Sequence, residues 1–188
     1  MLHLRTVLWH NQAEANSDYC SLFQTSNGFQ LQGVAVLKAD DLPMRVNYQV
    51  DCNPDWKTQS VELMVWKGHH EVPLTLMVDE QQRWWHNGHE LSDFRGLLDV
   101  DLGFTPATNT IPIRRMKLNE AQNALTTTVW IQFPSLKLMR FPQRYTRTAH
   151  DTYLFESLDD SFQAKLKVDE FGLVTDYETL WRQVAHTN

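Results

Sequence analysis

The sequence predicts a mainly β protein: a single-domain antiparallel meander curled into an open half-barrel or barrel. Apolar and polar residues alternate over Met44–Asp51 and Phe162–Val168, which is typical of strands with one buried face, because successive side chains point to opposite faces. Asn-Gly pairs at 27–28 and 87–88 are strong hairpin signals between such segments. A sheet of about ten strands twists too strongly to stay flat, so it must curl, close or split.

Weaker alternation predicts further strands between these signals. The segments are Ser60–Lys67, Val72–Val78, Leu97–Leu102, Ile113–Leu118, Leu125–Phe133, Leu136–Phe141, Gln143–Thr148 and Thr152–Ser157. An apolar stripe at helical spacing predicts one short C-terminal helix, with Asp176 as its N-cap. Its members are Tyr177, Leu180, Trp181 and Val184. Either this helix or a ligand could fill the concave face of the curled sheet.

Composition fits one domain over residues 1–188. The chain has a mass of 22.0 kDa, 42% apolar and 21% charged residues, and a net charge of −6. These values suit a globular protein, and the acidic balance argues against nucleic acid as a partner. The sequence shows no apolar run long enough for stable membrane insertion and no signal peptide, and only two cysteines, so a cytoplasmic location is expected. Oligomeric state stays open.

The sequence offers little support for cofactor or metal chemistry. It contains no glycine-rich phosphate loop and no nucleophile elbow, so no cofactor is expected. His86 and His89 flank the Asn87-Gly88 turn, where ligands would splay apart, so no metal site is expected.

Tryptophan is abundant, with seven residues in the chain. Such side chains either fill a bulky core or line a cavity, since their large apolar faces carry a polar edge and pack well on sugar rings and lipid chains. Trp84 and Trp85 cannot both point inward on one strand. Trp56 and Trp85 are taken as candidate ligand contacts.

Two carboxylates, Asp99 and Asp101, lie two residues apart in the predicted strand Leu97–Leu102. They would share one strand face about 6.5–7 Å apart, which suits the acid and base of an inverting glycosidase. They could instead lie on a solvated face or accept hydrogen bonds from nearby turns. A one-residue shift of register reverses the face, so both interpretations stay open.

Two prolines bracket the segment Thr105–Pro112, which predicts a rigid, ordered loop. The Asn109 amide within it either closes a local turn or meets sugar hydroxyls or a headgroup. Both roles can hold together.

The main cationic and polar cluster contains Arg114 and the row Gln143, Tyr145 and Arg147, whose side chains would share one strand face. Arginine presents a planar fork that suits phosphate or carboxylate. The cluster could therefore bind an anionic or hydroxyl-rich group, or it could form salt bridges to Asp99 or Asp101.

The most distinctive block of the sequence runs from Gly96–Leu102 into Thr105–Arg115. Further residues belong with it: Tyr48–Cys52, Trp56, Trp85, Gly88, Gln143–Tyr145, Val168-Asp169, Gly172–Tyr177 and Trp181-Arg182. In these residues, which extend over nearly the whole chain, the sequence resembles a bacterial glycolipid-binding family. The resemblance implies an antiparallel half-barrel like that of lipoprotein carriers, folded around an apolar cavity. It implies no catalytic activity and no established binding residues.

The leading hypothesis is a non-enzymatic protein that binds a glycolipid or other amphiphile in the concave face of a curved sheet. Its polar mouth and aromatic contacts would comprise Asp99, Asp101, Asn109, Arg114, Gln143, Tyr145, Arg147, Trp56 and Trp85. One alternative is a carbohydrate or lipid-ester hydrolase that uses Asp99 and Asp101. Another is a scaffold or dimerisation module that binds no ligand and presents an exposed apolar patch.

Overall fold

The computed structural model describes residues 1–159 and 161–187, and within them the chain forms fifteen strands in a single sheet. The first eight strands are β1 (Leu2–Asn11), β2 (Ser17–Thr25), β3 (Gly28–Ala39), β4 (Leu42–Cys52), β5 (Thr58–Lys67), β6 (His70–Val78), β7 (Trp84–His86) and β8 (His89–Glu90). The remaining strands are β9 (Asp99–Leu102), β10 (Asn123–Gln132), β11 (Lys137–Ala149), β12 (Thr152–Ser157), β13 (Gln163–Val168), β14 (Val174–Tyr177) and β15 (Trp181–His186).

The strand order shows how the sheet is built. Strands β1 to β8 step outward as an antiparallel meander to one edge, while β9 forms the opposite edge and β10 to β15 step back until β15 pairs with β1. The sheet stays open, yet β5 of one half approaches the β9 edge of the other: the Thr58 N–H at the start of β5 donates to the carbonyl of Leu98, just before β9, at 2.9 Å. Across the same gap, Lys67 Nζ donates to the Pro134 carbonyl at 3.0 Å. The predicted open half-barrel is confirmed.

One strand pair departs from the antiparallel prediction. β9 and β10 run parallel, with Asp99 opposite Thr128 and Asp101 opposite Trp130. The chain leaves β9, passes through a helical segment and returns to the same end before it enters β10, and a parallel pair needs such a crossover.

Both Asn-Gly signals mark hairpins, but in different registers. Asn87 and Gly88 have φ values of 49° and 78° between the paired residues His86 and His89, which is the tight turn predicted. In the hairpin of β2 and β3, Thr25 pairs with Gly28, so the central residues are 26 and 27 rather than 27 and 28.

The predicted C-terminal helix is wrong. Trp181–His186 forms β15, and a turn around Thr179, whose φ is 61°, separates it from β14. Val184, which the helical stripe would have buried, is 57% exposed. The segment forms a strand rather than a helix because it pairs with the edge of β1. As a strand, β15 gives the backbone groups from Val7 to Asn11 hydrogen-bond partners, which a helix would leave unpaired.

The helix lies elsewhere, in α1 (Thr110–Met116), after a 3₁₀ turn at Ala107–Asn109. The strand predicted over Ile113–Leu118 is therefore wrong, and the Thr105–Pro112 loop is largely helical. Its apolar side chains are core residues: Ile111 and Ile113 are buried. A helix this short is stabilised by packing rather than by its own propensity.

Residues 103–118, here called the inner segment, occupy the interior of the curled sheet. The Phe104 ring meets the Tyr48 ring of β4 edge-on, with centroids 5.8 Å apart. The Thr105 hydroxyl donates to buried Asp18 of β2, which also accepts a bond of 2.8 Å from the Tyr48 hydroxyl. The inner segment therefore fills much of the concave face that the sequence assigned to a terminal helix or a ligand.

Several tryptophans belong to the core. Trp9 and Trp84 are fully buried, and their indole N–H groups donate to the carbonyls of Val174 at 2.6 Å and Leu97 at 2.9 Å. Trp85, on the opposite face of β7, is half-buried. No helix within residues 1–159 and 161–187 has both the length and the apolar character to cross a membrane.

Candidate functional site

A cavity of about 600 Å³ lies between the inner segment and the strands from β9 to β15. We call it the Asp101 cavity, after the carboxylate at its polar end. Its wall is mainly apolar and aromatic, and it includes Trp130, Phe141, Phe155, Phe162, Tyr177 and Trp181. Ligand pockets commonly have this character, with volumes of about 300–1,000 Å³ and a few placed polar groups.

A chain of hydrogen bonds forms the polar end of the Asp101 cavity. Gln143 Nε2 donates to Asp101 Oδ2 at 2.6 Å, and the Tyr145 hydroxyl donates to Asn109 Oδ1 at 2.9 Å. The same hydroxyl lies 3.4 Å from Gln143 Oε1, which joins the two pairs. Strand alternation along β11 puts Gln143 and Tyr145 on one face, and both are buried. Asp101 and Asn109 line the cavity in front of them.

The environment of Asp101 disfavours its charge. Burial raises the pKa of this carboxyl to about 6, and the hydrogen bond from Gln143 opposes the shift only in part. Burial also raises the pKa of Tyr145 well above its usual value, so its hydroxyl keeps its proton and donates to Asn109. In the described residues, Gln143 bonds to Oδ2 of Asp101, and Oδ1 makes no protein hydrogen bond.

Asp99 shares the strand face of Asp101 but not its surroundings. Its carboxylate is fully buried and accepts two hydrogen bonds from Arg115, at 2.7 and 2.6 Å, and one from the Thr126 hydroxyl at 2.6 Å. It does not line the cavity. The acid and base pair expected of a two-carboxylate hydrolase is therefore not brought together in one cleft.

The other predicted residues lie apart from the Asp101 cavity. Arg114, Arg147 and Trp56 line a second cavity with a different set of residues. Trp85 lies beside the β6–β7 turn, where its indole N–H approaches Asp79 Oδ2 at 3.3 Å and Arg83 stacks 5.5 Å above its ring. Four of the nine predicted residues thus form the network at the polar end of the Asp101 cavity, and three line the second cavity. The remaining two, Asp99 and Trp85, line neither cavity.

The aromatic wall was not among the predicted site residues. Phe155 and Phe162 pack at 5.9 Å between ring centroids, and Phe162 and Tyr177 at 6.2 Å. The alternation over Phe162–Val168 indicates that Phe162 faces inward. It cannot show which inward side chains border a cavity, because the inner segment covers only some of them.

Outside the cavities, the described residues hold no metal cluster and carry a small exposed apolar patch. No group of three or more His, Cys, Asp or Glu side chains within the described ranges, 1–159 and 161–187, could hold a metal ion. On the outer face, Leu8, Tyr19 and Val34 are cross-strand neighbours and are 37%, 52% and 38% exposed. A scaffold role would use a surface of this kind.

An open sheet rolled around an apolar cavity with a polar end defines the chain as a β half-barrel protein. The profile of a family described as "Putative glycolipid-binding" matches residues 6–183, and the chain belongs to that family.

A crystal structure of a DUF1089 family protein from Pseudomonas aeruginosa superposes with a TM-score of 0.81. The two are 32% identical, over 89% of this chain and 92% of the other. A comparison with curated proteins finds no match.

Proposed function

We propose that the chain binds an amphiphile, a glycolipid or a related lipid, in the Asp101 cavity and catalyses no reaction on it. The observation that carries this proposal is the pairing of an aromatic-walled cavity of about 600 Å³ with one hydrogen-bonded polar end. An apolar chain would lie along Phe141, Phe155 and Phe162, where its transfer from water is favourable. The family name supports a sugar-bearing ligand.

The polar end suits hydroxyl groups. Asp101 lines the cavity, and its Oδ1 accepts no hydrogen bond from the described residues. Asn109 Nδ2 donates one bond to the Pro106 carbonyl at 3.1 Å and keeps a second hydrogen. A sugar hydroxyl can donate to the carboxylate while another accepts from the amide. Because the pKa of Asp101 is about 6, the carboxylate form predominates above that pH. We therefore expect sugar binding to strengthen as the pH rises through 6.

The geometry does not support a hydrolase that uses Asp99 and Asp101. A glycosidase needs two carboxyl groups that flank the scissile bond, and Asp99 is held outside the cavity by Arg115 and Thr126. The other carboxylate in the lining, Asp159, accepts hydrogen bonds from the N–H and the hydroxyl of Ser161 at 3.1 and 2.7 Å.

Native mass spectrometry tests the proposal. Protein purified from its own host should carry a discrete lipid adduct that denaturing extraction releases. Delipidated protein should then bind dodecyl maltoside and, more weakly, lauryldimethylamine oxide, which has the same chain without the sugar. A protein that is free of adducts and binds neither probe below its micelle concentration would overturn the proposal.

Two variant pairs locate the ligand. Leu158→Trp should block the cavity that Leu158 lines, whereas Val184→Trp adds the same ring on the outer face and should bind normally. Asp101→Asn should weaken binding of dodecyl maltoside but not of lauryldimethylamine oxide, and Asp151→Asn, at an exposed position, should change neither. Unchanged binding by Leu158→Trp would place the ligand elsewhere.

A further inference from the structure

We propose that the second cavity binds a phosphate monoester of a small molecule through Arg114, Lys117 and Arg147. This cavity of about 630 Å³ lies where the end of α1 meets the β11–β12 and β13–β14 turns, and we call it the cationic cavity. It has no lining residue in common with the Asp101 cavity. The proposal is therefore independent of amphiphile binding.

The three cations of this cavity form no ion pairs among the described residues. Within residues 1–159 and 161–187, Arg114, Lys117 and Arg147 have no carboxylate within ion-pair distance. The two acidic residues in the lining, Asp169 and Glu170, both pair with Arg5. Arg5 lies outside the lining but offsets the charge of these two carboxylates, which leaves the three lining cations in excess, in a chain whose net charge is −6.

Neutral groups hold Arg147 in place. Its guanidinium donates to the Leu118 carbonyl at 2.7 Å, to the Ala149 carbonyl at 3.3 Å and to the His150 carbonyl. Carbonyl partners orient a guanidinium without neutralising its charge, so a bound anion would pay little for ordering this side chain.

Arg114 is positioned in a similar way. It donates to the Glu170 carbonyl at 3.2 Å, and its guanidinium carbon lies 5.7 Å from the centre of the Trp56 ring. Its stem packs on Gly172, where a Cβ would come within 2.8 Å of the Arg114 Cδ. Only glycine leaves this space, and its φ of 83° also suits glycine.

Lys117 completes the group at the end of α1. Its backbone is left-handed, with a φ of 48°, where glycine or asparagine is usual, and its side chain is exposed. The lysine adds a mobile ammonium beside the two ordered guanidinium groups.

A phosphate monoester matches this arrangement best among common anions. It carries a charge of about −1.5 to −2 at neutral pH and offers three acceptor oxygens, which fits the excess of positive charge and the guanidinium N–H groups that the carbonyl partners leave free. The buried rings of Trp56 and Tyr153 form part of the wall beside the cations, against which the rest of the molecule can pack.

Isothermal titration calorimetry at low ionic strength tests this proposal with two probes that each carry a phosphate monoester. Glucose 1-phosphate represents a free metabolite, and dihexanoyl phosphatidic acid represents a lipid headgroup. The probe that binds more tightly identifies the source, and glucose serves as the neutral control. Binding should weaken as salt is added.

Variants assign the binding to this cavity. Lys117→Gln and Arg114→Gln should each weaken binding about tenfold, the loss expected for one charge-assisted hydrogen bond. Lys137→Gln removes an exposed lysine near the far end of β11, outside all the cavities described, and should leave binding unchanged. Thermal unfolding confirms that each variant is folded. The proposal is overturned if neither monoester binds at millimolar concentration, or if both cavity variants bind as the parent does.

Discussion

Arg115 and Asp99 form a bidentate ion pair inside the protein, with Nε to Oδ1 at 2.7 Å and Nη2 to Oδ2 at 2.6 Å. The pair joins α1 to β9 and so ties the inner segment to one edge of the sheet. The carboxylate is fully buried, and the Thr126 hydroxyl donates a third hydrogen bond to it. The geometry is the planar fork that arginine makes with carboxylate.

Asp99→Asn should lower the free energy of unfolding by about 3 kcal/mol, because breaking a buried pair leaves the Arg115 charge uncompensated. Urea denaturation measures the change. Asp55→Asn, at an exposed carboxylate with no ion pair among the described residues, should alter stability by less than about 0.5 kcal/mol. Equal losses in the two variants would show that the ion pair contributes nothing specific.

Asp18 should make stability depend on pH. Burial raises its folded-state pKa to about 6, and the hydrogen bonds from Thr105 and Tyr48 only partly oppose this. The unfolded chain loses this proton near its ordinary value of 3.8, so the folded state holds more protons between the two values. Stability from this group is therefore lost as the pH rises from about 4 to about 6, and then levels off.

The variant Asp18→Asn cannot ionise, so it should gain about 2–3 kcal/mol relative to the parent between about pH 4 and pH 7. Urea denaturation of both proteins across this range gives the difference, in which the contributions of other titrating groups cancel. A difference that does not change with pH would contradict the raised pKa of Asp18.

Gly33 should tolerate no side chain, because the Tyr48 ring lies over it. An added Cβ would sit 2.3 Å from the Tyr48 Cζ, and the two residues are register partners on β3 and β4. Gly33→Ala should destabilise the protein by about 2 kcal/mol through overpacking. In a Tyr48→Ala background the same change should cost much less, since the ring is gone. Additive costs would show that the ring is not the cause.

Gly88 tests backbone conformation without any clash. Its φ is 78°, and an added Cβ would have no atom within 4 Å. Gly88→Ala should therefore cost about 1 kcal/mol, the strain of a left-handed residue with a side chain. Thermal or urea unfolding measures it, and a neutral substitution would show that the β7–β8 turn can change type.

Alternation in the sequence predicted the strands well where one face is buried. Along β4, Met44, Val46, Tyr48 and Val50 are all buried, as the pattern over Met44–Asp51 required. The failures share one cause, in that the decisive partners are distant in sequence. Trp181–His186 forms a strand because it pairs with the distant edge of β1. Ile113 is helical because the inner segment packs inside the sheet.

The candidate site was predictable in chemistry but not in arrangement. Sequence reasoning selected Asp101, Asn109, Gln143 and Tyr145, and the structure connects all four. The sequence alone does not show that Arg114 lies at a different cavity from these four residues, because its position depends on the path of the inner segment. Asp99 and Asp101 share a strand face as expected, yet their surroundings differ. Arg115 of α1 binds Asp99, whereas Asp101 borders the cavity.

The pairing of β1 with β15 has a consequence for how the protein folds. β1 obtains one of its neighbours from β2 at once, but the other comes from β15, more than 160 residues later in the chain. During synthesis, the edge of β1 that pairs with β15 therefore stays unpaired until β15 has been translated. Contacts that join such distant segments slow folding, and an exposed strand edge invites pairing with other chains. This edge of β1 is therefore open to mispairing until β15 has been made.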